Sequence, residues 1–345
     1  MLKYYLTTFF VSGAVVIILT PIIRKIALEF GIVDRPGGRK VHRKNMPTLG
    51  GIAIAVAFFV GTIVVFRAIP ADMEIFLFNF IGLCIGSIII MTLGIFDDVK
   101  PLKAKLKFVI QIVAALVLIG CGFRVEQVTI PFIGKFSLGF LGLFFSILWI
   151  VGITNAINLL DGLDGLSAGV SAIALFFISL SAIDQHNYIV AFLAFALVGA
   201  CIGFLPFNFY PARIFMGNSG SMFLGFVLSA IAIESFQKSR TIITLFIPII
   251  ALGIPIIDTS LAIVRRLVKK RRVFQPDKEH IHHQILFREE SQRRAVLSLY
   301  FLSTCFGMIA LSFRGIQGVY AIVALILVVV VTYKWMKDSG FLEFR

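Results

Sequence analysis

Four polar residues at intervals of three, Asn155, Asn158, Asp161 and Asp164, stand in NAINLLDGLDGLSAG. Greasy segments flank them, FFSILWIVGI before and VSAIALFFISL after. An asparagine offers both a donor and an acceptor, and its oxygen ligates a hard cation. Asp164 is suited to accept hydrogen bonds from a base or a sugar. If a helix runs to about residue 160, the asparagines share a face at its end. Gly162 and Gly165 then break the helix and admit a ligand close to the backbone. A simple cap and turn would not need four polar groups in ten residues.

Three further clusters invite the same treatment. In LGIFDDVKPLKAKLK, Asp97 and Asp98 are adjacent carboxylates, which repel unless a cation, a proton or a basic partner intervenes. Lys100, Lys103 and Lys107 follow at spacings of three and four, one stripe if helical and suited to phosphate. MGNSGS, residues 216–221, precedes an apolar run, so its backbone N–H groups would form an anion-binding helix start, with Phe215 offering a ring face. HIHH supplies His280, His282 and His283, three of the five histidines. No HExxH or cysteine partner accompanies them, and basic neighbours favour an anion site over zinc.

These clusters need elements to hold them. The chain of 345 residues is 59% hydrophobic and 14% charged, with a mean hydropathy of +0.99. That excludes an ordinary soluble protein. About 20 apolar residues cross the hydrocarbon, and eleven segments qualify: 4–23, 49–67, 75–95, 106–122, 139–158, 167–184, 188–206, 220–236, 241–263, 295–313 and 316–334. The first carries no cleavage site and reads as a span. No soluble domain fits between them. The expectation is a single all-α polytopic membrane domain over 1–345. With the N-terminus outside, 25 of the 32 Lys and Arg fall on inner segments. The C-terminus is then cytoplasmic, and all four polar clusters gather on the cytoplasmic face. The +14 charge follows from this topology and from anionic lipid, and does not call for nucleic acid. Cys84, Cys121, Cys201 and Cys305 lie in or beside apolar spans with no CxxC spacing, and are expected to be free thiols.

FDD, NxxNxxDGLDGL, a GxSGS loop and HIHH occur in this order, with these spans between them. Together they resemble the polyprenyl-phosphate N-acetylhexosamine-1-phosphate transferases, the superfamily with WecA-, TagO- and MraY-type branches, over nearly the whole chain. The resemblance implies transfer of a sugar-1-phosphate from a UDP-sugar to undecaprenyl phosphate at the cytoplasmic leaflet of the bacterial inner membrane. UMP leaves, and Mg²⁺ (or Mn²⁺) is the cofactor. It makes Asp97 and Asp98 the catalytic pair, leaving open which of them acts on the lipid phosphate. Asn158 and Asn218 match metal positions. Lys107 matches a phosphate-binding lysine, and Lys44, before PTLGG, is a weaker match to the substrate-binding basic residue of the first inner loop. Asp164 and Phe215 match uracil positions. Asn155 and Asp161 fall in the substrate motif, and His280, His282 and His283 match a loop at the sugar or diphosphate. A homodimer is compatible with the resemblance.

PDKE ahead of HIHH is closer to the WecA/TagO branch, which favours UDP-N-acetylglucosamine over the peptide-bearing sugar of the MraY branch. One position departs from the pattern. The family carries Asp in MGDSGS, where this chain has Asn218. The amide keeps one ligating oxygen and loses the charge, whether the change is engineered or natural and compensated elsewhere. The rival from another class is a transporter. It predicts polar groups at mid-membrane and on both faces, whereas here they collect at one.

Overall fold

The computed structural model describes residues 1–35, 45–66, 73–130, 134–239, 242–268, 285–286 and 291–312, with 323, 326, 330 and 334. Helices dominate: α1 (Leu2–Glu29), α2 (Gly50–Phe66), α3 (Met73–Val99), α4 (Ala104–Gly120), α5 (Gly139–Leu160), α6 (Leu166–Asp184), α7 (Tyr188–Asn208), α8 (Gly217–Ser239), α9 (Ile242–Ala251), α10 (Gly253–Val268) and α11 (Gln292–Ser312). Two short antiparallel pairs accompany them. β1 (Val33–Asp34) pairs with β2 (Met46–Pro47), and β3 (Gln127–Ile130) with β4 (Gly134–Ser137).

Among the described residues, seven helices are long and apolar enough to cross a membrane, and Gly50–Val64 is a shorter apolar helix. Their outward side chains, such as Phe10, Ile18, Ile88 and Phe140, are exposed, as a lipid-facing surface requires. The first eight expected spans each coincide with one helix, α1 to α8. The eleventh, 316–334, falls largely outside the described residues. The ninth needs correction. Its described part, from residue 242 on, forms two helices, α9 and α10, separated at Leu252. Pro255 has no N–H to give to Ala251, and its ring crowds that carbonyl. Gly253 adds backbone freedom at the same place.

α8 is the axis of the fold. The stretch 219–236 is wholly buried, with α2, α3, α5, α6, α7 and α9 against the helix. Small residues let backbones meet there. A Cβ on Gly51 of α2 would lie 2.1 Å from the Gly220 Cα, and one on Gly94 of α3 would lie 2.3 Å from the Ser219 Cα. A Cβ on Gly225 would lie 2.8 Å from the Thr154 Cα of α5. These close approaches bring the C-terminal ends of α3 and α5 to the N-terminus of α8. Asp97 and Asp98 end α3, Asn158 nearly ends α5, and Asn218 begins α8.

Candidate active site

At the start of α8, Gly217 adopts φ +73°, a left-handed conformation that favours glycine. A Cβ there would sit 2.5 Å from the Asp98 Oδ2, so glycine also leaves room for the carboxylate. Asp98 then receives four hydrogen bonds from this helix end. Its Oδ1 accepts from the Asn218 backbone N–H at 2.7 Å and from the Asn218 Nδ2 at 3.1 Å. Its Oδ2 accepts from the Ser219 N–H at 3.1 Å and the Ser219 Oγ at 2.9 Å. Free N–H groups and the helix dipole both favour an anion here. The anion-binding helix start expected of MGNSGS is therefore present, and it binds the protein's own Asp98.

Asp97 is 6% exposed and has its own partners. Lys107 Nζ donates to its Oδ2 at 2.9 Å, and the Leu102 N–H donates to its Oδ1 at 2.8 Å. Successive helical residues project about 100° apart, so the two aspartates reach different neighbours. Neither needs a shared ion to hold its place.

Asn158 joins α5 to α8. Its Nδ2 donates to Asn218 Oδ1 at 3.0 Å and to Ser221 Oγ at 2.8 Å. Asn155, one turn earlier, does not line the cleft described below. It pairs with Gln111 of α4, its Nδ2 donating to Gln111 Oε1 at 2.7 Å, and it also donates to the Val151 carbonyl at 2.8 Å.

The turn 161–165 links α5 to α6. Gly165 has φ +79°, and its N–H donates to Asn208 Oδ1 at 3.1 Å. Asn208 Nδ2 in turn donates to the Ile214 carbonyl at 3.0 Å. Asp164 Oδ2 accepts from the Ala212 N–H at 2.9 Å. The acidic turn is thus tied to the segment 209–216, which carries Phe215. That segment is docked on the other side: the Phe215 N–H donates to the Pro47 carbonyl at 2.9 Å, and the Gly50 N–H to the Phe215 carbonyl at 3.0 Å. Burial, then the charges of Asp98 and Asp164, push the Asp161 carboxyl from 3.8 up to about 8.

A cleft of about 440 Å³ collects these groups. Asp97, Asp98, Asn158, Asp161, Asp164, Phe215 and Asn218 all line it. Lys107 reaches it through Asp97. Lys44, His280, His282 and His283 lie outside the described residues. Four polar lining residues carried no expectation of their own: Asp34, Thr48, Asn208 and Gln292. Asp34 follows the first span on the side of the other clusters, and Asn208 sits in FNFYPAR at another span end, so position was a usable signal for both. Thr48 and Gln292 carry none.

Among the described residues, no three His, Cys, Asp or Glu side chains form a ready metal cluster. The oxygens at hand are the Asp98 carboxylate, the amide oxygens of Asn158 and Asn218, and the Ser221 hydroxyl. All are hard donors that suit Mg²⁺ with several waters retained. The crowding of acids around Asp161 also favours a cation nearby.

A second cavity of about 560 Å³ is almost wholly apolar. Phe145, Trp149 and Ala156 of α5 line it, with Phe236 of α8 and Ile256 and Ile263 of α10. Ala156 is two residues from Asn158, so one helix borders both cavities.

The described helices thus hold a polar cleft where span ends meet and an apolar cavity that shares α5 with it. Residues 80–236 match glycosyl transferase family 4. The chain is 40% identical over 308 residues (89% of this chain, 84% of the relative) to the "Probable undecaprenyl-phosphate N-acetylglucosaminyl 1-phosphate transferase" of Bacillus subtilis (strain 168). It is 33% identical over 315 residues (91% and 93%) to the "Undecaprenyl-phosphate alpha-N-acetylglucosaminyl 1-phosphate transferase" of Thermotoga maritima. A "Phospho-N-acetylmuramoyl-pentapeptide-transferase" of Halalkalibacterium halodurans is 33% identical over 332 residues (90% and 97%). The chain belongs to glycosyl transferase family 4.

Proposed function

We propose that this protein transfers N-acetylglucosamine-1-phosphate from UDP-N-acetylglucosamine to undecaprenyl phosphate at the cytoplasmic face of a bacterial inner membrane. A phosphate oxygen of the lipid attacks the sugar-bearing phosphorus. The new O–P bond forms as the bond from that phosphorus to the bridging oxygen breaks, and UMP leaves with the bridging oxygen. The products are UMP and undecaprenyl diphosphate N-acetylglucosamine. The observation that carries the reading is the convergence of Asp97, Asp98, Asn158, Asp164, Phe215 and Asn218 on one cleft, in a chain 40% identical to a relative named for this transfer.

Such a transfer needs positioning and charge neutralisation more than a protein nucleophile. Asp97 and Asp98 stand at the reacting end, with Lys107 placed to draw the lipid phosphate toward Asp97. Asp164 and Phe215 receive the uracil. The apolar groove along α5 accommodates the start of the polyprenyl chain. Asn158 and Asn218 would hold Mg²⁺ beside Asp98, and the ion when bound neutralises the diphosphate and the departing UMP. With Asn218 in place of a carboxylate, its affinity is set by one charge fewer. A second reading, transfer of the peptide-bearing muramoyl phosphate, draws on the Halalkalibacterium relative. The higher identity to the N-acetylglucosaminyl enzyme favours the first.

The test is incubation with radiolabelled UDP-N-acetylglucosamine, undecaprenyl phosphate and Mg²⁺, using the chain and its Asn218→Asp variant. Labelled lipid and free UMP are expected, with higher turnover in the variant. Labelled lipid from neither overturns the reading, and equal rates in both remove the metal role of Asn218.

A further inference from the structure

α11 reaches the site along other helices than does α4, the carrier of Lys107. α11 packs mainly on α6 and α9, whereas α4 packs on α3 and α5. Gln292, Val296, Leu299 and Ser303 recur at spacings of four, three and four on its buried face. Tyr300 anchors it. The Tyr300 Oη donates to the Gly165 carbonyl at 2.6 Å, and its ring occupies the space a Cβ on Gly169 would need, 2.0 Å from the Tyr300 Cζ. α11 is thereby fixed against the first turn of α6. Gln292 lies eight residues nearer the helix start, about 12 Å along the axis. There it lines the cleft together with Asp161, Gly162 and Asp164.

Gln292 is 7% exposed, and its Nε2 has no hydrogen-bond partner among the described residues. A buried amide with idle donors destabilises the ligand-free protein, and an apolar side chain of the same length would fill the place at lower cost. The surroundings show which ligand would use those donors. A carboxylate accepts hydrogen bonds and does not donate them, so Asp164 cannot serve phosphoryl or carbonyl oxygens. A nucleotide sugar seated over this turn presents many such oxygens, and Gln292 stands in the cleft wall with donors that no described residue takes up.

We infer that Gln292 is a substrate-contacting specificity residue whose Nε2 donates to an oxygen of the nucleotide sugar, and not to the polyprenyl phosphate, which the Lys107 side receives. The identity of the ligand rests on the proposed reaction; the idle buried donor does not. Gln292→Met keeps the length and removes both donors. It is expected to melt no lower than wild type without ligand, because no protein partner is lost. The KM for UDP-N-acetylglucosamine rises roughly three- to tenfold, while the KM for undecaprenyl phosphate stays within about twofold. Gln292→Glu, which puts a further acceptor among the acids, raises the nucleotide-sugar KM at least as far. A lower melting temperature with an unchanged nucleotide-sugar KM marks a structural residue and overturns the inference, as does an effect confined to the lipid. Should wild type form no labelled lipid, the reaction itself fails. Calorimetric titration of UDP-N-acetylglucosamine then still decides Gln292: weaker binding by the Met variant supports the contact, and equal binding overturns it.

Discussion

Two groups of aspartate in one cleft are held in opposite ways. At the head of α8, Asp98 has both oxygens engaged by four donors from Asn218 and Ser219, and Asn158 completes the knot through Asn218 Oδ1. This node is closed by hydrogen bonds, two donors to each Asp98 oxygen. In the turn before α6, burial and the nearby charges of Asp98 and Asp164 push the Asp161 carboxyl up to about 8. No donor among the described residues relieves it. That half is open, and its charge is left for a proton, a cation or a ligand to balance. Like residues therefore divide the work: one fixes the geometry of the reacting end, and the other makes occupancy of the donor end sensitive to charge.

The closed node offers the largest effects. Asp98→Ala leaves the Asn218 and Ser219 donors without an acceptor in a part-buried site. Transfer is expected to fall by about 10²-fold or more, with roughly 1–3 kcal/mol of stability lost. UMP release and thermal unfolding in detergent measure the two. Activity within about tenfold of wild type would break the distinction, since the node would then be ornamental.

Gly217→Ala sharpens it. The left-handed backbone costs roughly 1–2 kcal/mol in any L-residue, and the new Cβ presses on Asp98 Oδ2. Gly31→Ala is the control, because Gly31 also has positive φ but nothing within 4 Å of its Cβ position. Both variants should melt lower. Only Gly217→Ala should lose roughly tenfold or more in transfer rate through displacement of the carboxylate.

The open turn predicts a pH dependence. A carboxyl raised from 3.8 to about 8 binds its proton more tightly in the folded protein than in the unfolded chain. Its contribution to stability is therefore fully present below 3.8 and is lost as pH rises toward about 8. Without Mg²⁺, the melting temperature of wild type should fall across that window more steeply than that of Asp161→Asn. Parallel profiles would remove the open half of the comparison. The smallest effect belongs to Asn155→Ala. It breaks the amide pair with Gln111 at a cost of about 1 kcal/mol, and it should change the KM for either substrate by no more than about twofold.

Asn155 also shows where the sequence was misleading. Spacing by three suggested that Asn155 and Asn158 share a face, but three residues leave an offset of about 60°. At the meeting point of three helices, that offset sends one amide to α4 and the other to α8. Asp97, Asp98, Asn158, Asp164, Phe215 and Asn218 were legible because each sits in a polar motif at the end of an apolar segment. The break between α9 and α10 was written in Gly253 and Pro255, and the length of the apolar run concealed it. Gln292 and Tyr300 were not legible at all. Each is a lone polar group whose role comes from packing against a distant turn, and no local pattern encodes such contacts.

The claim that one half of the cleft is built closed and the other waits for charge is tested most directly by calorimetric titration of UDP-N-acetylglucosamine near pH 8, with and without Mg²⁺, into wild type and Asp161→Asn. Wild type should bind about tenfold more tightly when Mg²⁺ is present, and Asp161→Asn should lose most of that dependence. Wild-type binding indifferent to Mg²⁺, and unchanged in the variant, would contradict the account.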